Sequence, residues 1–154
     1  MTNGIAAISF AVFLILYLTG NIDNGAVLGG FIPARVGDPE LLAGLAAVPP
    51  LTCTLIHAGW LHVGFNLLML GFCGRHVEHV LGKGPTLLLY GVGAYAACGA
   101  QWLVDPGSTG PMVGASGAIS AVVATYALLY SQQQVRRIGP FSANIVRLAW
   151  LAGG

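Results

Sequence analysis

The sequence predicts an all-α membrane protein, on three observations. Of its 154 residues, 56% are hydrophobic and 7% charged, where a soluble domain carries about 25% charged residues. Its apolar runs are of bilayer-crossing length and are parted by polar or Pro/Gly-rich breaks. Its basic residues gather in alternate breaks. So few charges could not cover a water-facing surface. The net charge of +1, without a basic cluster, argues against nucleic acid as a partner. Cys53, Cys73 and Cys98 are widely spaced within apolar runs. They read as small buried residues, not as a disulfide frame or zinc site.

Gly4 to Thr19 is nearly unbroken apolar sequence closed by Gly20-Asn21, and at 1.5 Å per residue it covers about 25 Å. Residues 1–20 are therefore assigned to a first transmembrane helix. A signal peptide would need a basic start and a small-residue cleavage site, so the helix is read as retained. Residues 21–56 form a long external loop holding Asp23, Arg35, Asp38 and Glu40, broken by Pro33, Pro39, Pro49 and Pro50. Apolar pieces such as Leu41–Val48 are too short to cross and are expected to lie in the interface or dip in and return.

The second span is placed at 58–74, followed by the polar stretches Arg75–His79 and Gly82–Pro85. The third covers 86–104 and stops at Asp105-Pro106-Gly107. A short loop, Ser108–Pro111, leads into the fourth at 112–130, and Gln132–Arg137 form a basic exit. Residues 145–154 are apolar again and read as the start of a fifth helix after four complete ones. Arg75, Lys83, Arg136, Arg137 and Arg147 fall on one side, and Arg35 alone on the other. The positive-inside rule then makes the N-terminus cytoplasmic and the 21–56 loop external. Trp60 and Trp102 sit near the outer span ends, as interfacial anchors do.

The chemistry centres on Gly114-Ala115-Ser116-Gly117-Ala118, a serine among tiny residues at the head of an apolar run. The opening turn of a helix has unpaired N–H groups and the positive end of the dipole. A serine there can attack a carbonyl while its own N–H holds the resulting oxyanion. Such clusters in membrane helices also serve plain close packing. The second span opens with His57, His62 and Asn66. His62 and Asn66 are four apart and share a helix face. Polar side chains at this depth are costly and line a cavity or a partner helix. Spans two and four both run inward, so His62, Asn66 and Ser116 are expected at one depth in the outer third of the membrane. There Asn66 and His62 could supplement the Ser116 N–H at an oxyanion. Their competing role is an interhelical polar clamp. His57 is expected to be an interfacial residue facing water.

His57-x4-His62-x3-Asn66, followed by Gly114-x-Ser116-Gly117, resembles the rhomboid family of intramembrane serine proteases. Gly74-x3-Glu78-x3-Gly82 and the Pro33-Ala34-Arg35 loop are further similarities, and the likeness runs from about residue 30 to 137. The resemblance implies a rhomboid-like bundle of six helices and hydrolysis of a peptide bond in or beside a substrate's transmembrane segment. It implies Ser116 as nucleophile, a histidine on the sixth helix as general base, His62 and Asn66 in the oxyanion hole, and Glu78 in a structural network near the cytoplasmic face. Two departures stand out. The base histidine is absent from the chain, which is read as a fragment of the domain and expected to be inert alone. The aromatic that some members carry four residues after the nucleophile is Ser120 here. The implied partners are transmembrane substrates and the lipid bilayer, without a cofactor, and compact loops point to a bacterial inner membrane.

Three rival readings compete with this one. A non-proteolytic rhomboid-like protein binding transmembrane clients would share the backbone. A metal enzyme would need more than His76 and His79 three apart, without HExxH or a nearby acidic ligand. A channel or transporter would need more intramembrane charge and a visible repeat.

Overall fold

The structure, a computed structural model, describes residues 1–37 and 48–131. Nearly all of the Leu41–Val48 piece, the Gln132–Arg137 exit and the 145–154 helix start lie outside the described residues. The described chain is a helical bundle without strands. Its helices are α1 (Thr2–Leu18), α2 (Ile22–Gly29), α3 (Pro49–Thr52), α4 (Trp60–Met69), α5 (Arg75–Leu81), α6 (Lys83–Val104) and α7 (Ser116–Tyr130). Three-residue 3-10 turns occur at Pro33–Arg35 and Cys53–Leu55.

α1 is apolar, Pro-free sequence that closes at Thr19, whose hydroxyl donates to Ile15 O at 2.8 Å. Its C-terminal half packs on α4 through Trp60, set edge-on to Phe13 at 4.9 Å and to Tyr17 at 5.2 Å. α4 runs into α5 through a π-helical turn, Leu70–Gly74, so one rod extends from Trp60 to Leu81. The chain turns by 104° between Pro49–Leu55 and that rod. Gly82, at φ +84°, makes the corner into α6, a backbone conformation that side chains with a β-carbon rarely adopt. α6 starts at Lys83, three residues before the expected Thr86. Pro85 is tolerated because the first turn of a helix needs no N–H there. Among the described residues, α6 alone is long and apolar enough to cross a membrane unaided. The bent pair counts as a second.

The core joins Leu70, Cys73 and Val77 to Tyr90 and Ala94 of α6 and to Ala118, Ile119 and Val122 of α7. Many large apolar side chains remain exposed, among them Leu61, Leu88, Leu103 and Leu128, as expected where lipid is the solvent. The three cysteines are free and buried, as read from the sequence, with Cys53 and Cys98 packed beside Phe31.

Candidate active site

α7 begins at Ser116, not at Met112, because the preceding loop is held in another conformation. Phe31 and Met112 exchange a pair of backbone hydrogen bonds of 3.0 and 2.7 Å, and the Ala34 N–H donates to Ser108 O at 3.0 Å. The Gly114 N–H donates to Cys53 O at 2.8 Å. The segment before the serine is thus braced against residues 31–34 and against the turn ahead of α4.

Gly114 has φ +107°, and a β-carbon there would overlap Nε2 of His62. The His62 ring therefore lies against bare backbone two residues before the serine. Ala115 caps α7 without a side-chain hydrogen bond. No described side chain competes for the first-turn N–H groups, which keep the positive end of the dipole. The Ser116 side chain is exposed, and its hydroxyl makes no hydrogen bond to a described residue. The Ser116 carbonyl accepts from the Ser120 hydroxyl at 2.8 Å, so Ser120 turns back onto its own helix.

Gly117 does different work. A β-carbon on it would overlap that of Ala97 in α6, and one on Gly93 would stand 2.8 Å from the β-carbon of Ala121. These small residues let α6 and α7 approach closely, which is the packing role such residues take in membranes. The two glycines of the pentapeptide thus make room for different neighbours, Gly114 for the His62 ring and Gly117 for Ala97 of α6.

Asn66 is 7% exposed, and its Nδ2 donates to His62 O at 2.9 Å. That bond uses one of its two N–H groups. The structure brings His62 to the serine loop, and α4 into contact with α7. It does not hydrogen-bond Ser116 to His62 or Asn66. His57 corrects the expectation of a water-facing residue, for it is 1% exposed. Its ring stands edge-on to His62 at 5.1 Å, Nδ1 lies 3.3 Å from Leu55 O, and Nε2 is buried with no hydrogen-bond partner among the described residues. The chain bends by 104° between the Pro49–Leu55 segment and the rod, which sets His57 against His62.

Sequence reasoning missed Cys53 and the Phe31–Met112 pair. Both act through main-chain atoms, which leave no side-chain signature. His76 and His79 lie on α5, beyond the π-helical turn from His62. Among the described residues no group of three or more His, Cys, Asp or Glu could hold a metal ion. At the far end of the rod Glu78 accepts from the Thr2 N–H at 2.8 Å, from the Thr2 hydroxyl and from the Met1 ammonium.

A family model described as the rhomboid domain matches residues 47–154. The chain is 32% identical over 124 residues to the rhomboid protease GluP of Bacillus subtilis, covering 80% of this chain and 23% of that protein. No solved structure matches the chain significantly.

Proposed function

Because the chain belongs to the rhomboid family, a family of intramembrane proteases, we propose that it supplies the nucleophile and oxyanion hole of an intramembrane serine endopeptidase. Ser116 Oγ attacks the scissile carbonyl of a peptide bond in or near a transmembrane segment. The developing oxyanion is held by the Ser116 N–H, by the His62 ring N–H and by the remaining Asn66 N–H. These donors sit in a fixed frame and need no reorganisation as charge develops. The serine proton passes to a general base and then to the leaving amine, and water hydrolyses the acyl-enzyme. The base is a histidine from a later helix of the domain. None of His57, His62, His76 and His79, the histidines of this sequence, fits that role: His57 is buried against the His62 ring, His62 is committed to the oxyanion, and the last two lie on α5.

The observation that carries this reading is the His62 ring seated against Gly114, next to a helix start whose N–H groups no described side chain caps. As an integral membrane protein of this family, the chain has its N-terminus in the cytoplasm of a bacterial cell and its site opening outward. The basic side of the molecule, with Arg75 and Lys83, supports that orientation. The test is cleavage of a transmembrane reporter by the full-length protein. Ser116→Ala is expected to abolish cleavage and fluorophosphonate labelling while the protein stays folded. Full residual activity would refute the assignment.

A second reading, non-proteolytic binding of transmembrane clients, draws on the Asn66 amide, which is bonded within its own helix. A full-length gene with two more spans and no glycine-flanked histidine would favour it.

A further inference from the structure

Two cavities lie beside the α5–α6 corner. One is a polar recess of about 590 Å³ lined by Asn3, Arg75, Glu78, His79, Gly82 and Lys83, together with Met1. The other is an apolar furrow of about 990 Å³ running along α6 from Gly84 through Leu87, Leu88 and Gly91 to Ala96, with Ile5 and Leu55 among its other lining residues. Consecutive residues line the two, Lys83 the recess and Gly84 the furrow. We propose that they form one binding site for an anionic glycerophospholipid, with the phosphate in the recess and one acyl chain along α6.

Charge and length both match. Glu78 is already engaged by Thr2 and the Met1 ammonium. Arg75 gives only Nε, to Asn3 Oδ1 at 2.9 Å, which keeps its two terminal nitrogens for an anion. Lys83 has no partner among the described residues and opens α6, where the first N–H groups of a helix attract phosphate. The recess is therefore cationic on balance. The twelve helical rises from Gly84 to Ala96 measure about 18 Å, close to one leaflet's share, about half, of a ~30 Å hydrocarbon core.

Glycine makes the furrow. Gly84 and Gly91 are seven apart, two turns along one face, and a β-carbon on either would meet nothing within 4 Å. The space belongs to no side chain of the described protein. A soluble anion would fill only the recess, whereas a phospholipid accounts for both halves.

The test is native mass spectrometry of the purified protein released from micelles holding equal dioleoyl-phosphatidylglycerol and dioleoyl-phosphatidylcholine. Wild type is expected to retain phosphatidylglycerol preferentially. Lys83→Gln should cut that preference about fivefold, the worth of one basic residue at an anionic surface. Gly91→Leu, whose β-carbon would meet nothing within 4 Å, puts a side chain into the furrow and should cut retention at least as far, with helix content unchanged. Equal retention of the two lipids by wild type would overturn the proposal, as would wild-type retention by Gly91→Leu. Displacement of the lipid by equimolar glycerol 3-phosphate would also overturn it, by reducing the site to one for a free anion.

Discussion

The Nε2 of His62 occupies the space that a β-carbon on Gly114 would need. Ring and loop are therefore matched, and Gly114→Ala should displace His62 and strain a backbone held at φ +107°. The expected loss is about 100- to 1000-fold in kcat, as for one oxyanion donor. His62→Ala should lose as much by itself. Adding Gly114→Ala to His62→Ala should then cost much less in kcat than it does alone, because the ring that clashed is gone and only the backbone strain at φ +107° remains. Reporter cleavage by the three full-length variants checks this, and simple multiplication of the two losses would count against it.

Asn66→Ala separates the oxyanion role from the polar clamp. As an oxyanion donor, its removal should lower turnover about ten- to a thousand-fold with Tm nearly unchanged. A lowered Tm with intact kinetics would show that the side chain only fastens its own helix. Parallel kinetics and thermal melts decide the matter.

Gly117 predicts a stability effect. Gly117→Ala should wedge α7 away from Ala97 and cost about 1–3 kcal/mol, the usual range for overpacking a filled interior. Ala97→Gly in the same chain should restore most of the loss by reopening the space. Unfolding titrations in mixed micelles would measure both. Failure of the second substitution to compensate would mean that the contact is not the limiting one.

Glu78 sets an acid limit. The Met1 ammonium, then the Thr2 hydroxyl and N–H, hold its carboxyl down from 4.5 to about 2. The folded state thus binds this proton less readily than the unfolded chain. The stabilisation is complete above pH 4.5 and drains away as pH falls through 2. Glu78→Gln should melt lower than wild type at neutral pH, and the two curves should converge near pH 2. A gap that persists there would assign the effect to hydrogen bonding alone.

Much of this was legible in the sequence, for reasons that particular residues make plain. Apolar length located α1 and α6, and the four-residue spacing of His62 and Asn66 put them on one helix face. The basic residues around the α5–α6 corner marked one end of the bundle. The roles of the two glycines flanking Ser116 were not separable, since one residue type serves both a positive φ at Gly114 and a helix contact at Gly117. His57 misled because its neighbours in sequence are those of an exposed turn, while its burial depends on the bend between the Pro49–Leu55 segment and the rod. The Phe31–Met112 pairing was invisible, being made of main-chain groups that every residue there would carry.

The π-helical turn at Leu70–Gly74 has a geometric corollary. One surplus residue in a helix rotates everything downstream by about 100°. The rod is thereby given two bearings, its upper half aiming His62 at the serine loop and its lower half aiming Glu78 at the foot of α1. Excising a single residue from this turn would dephase the two halves, so that no rotation of the rod could satisfy both.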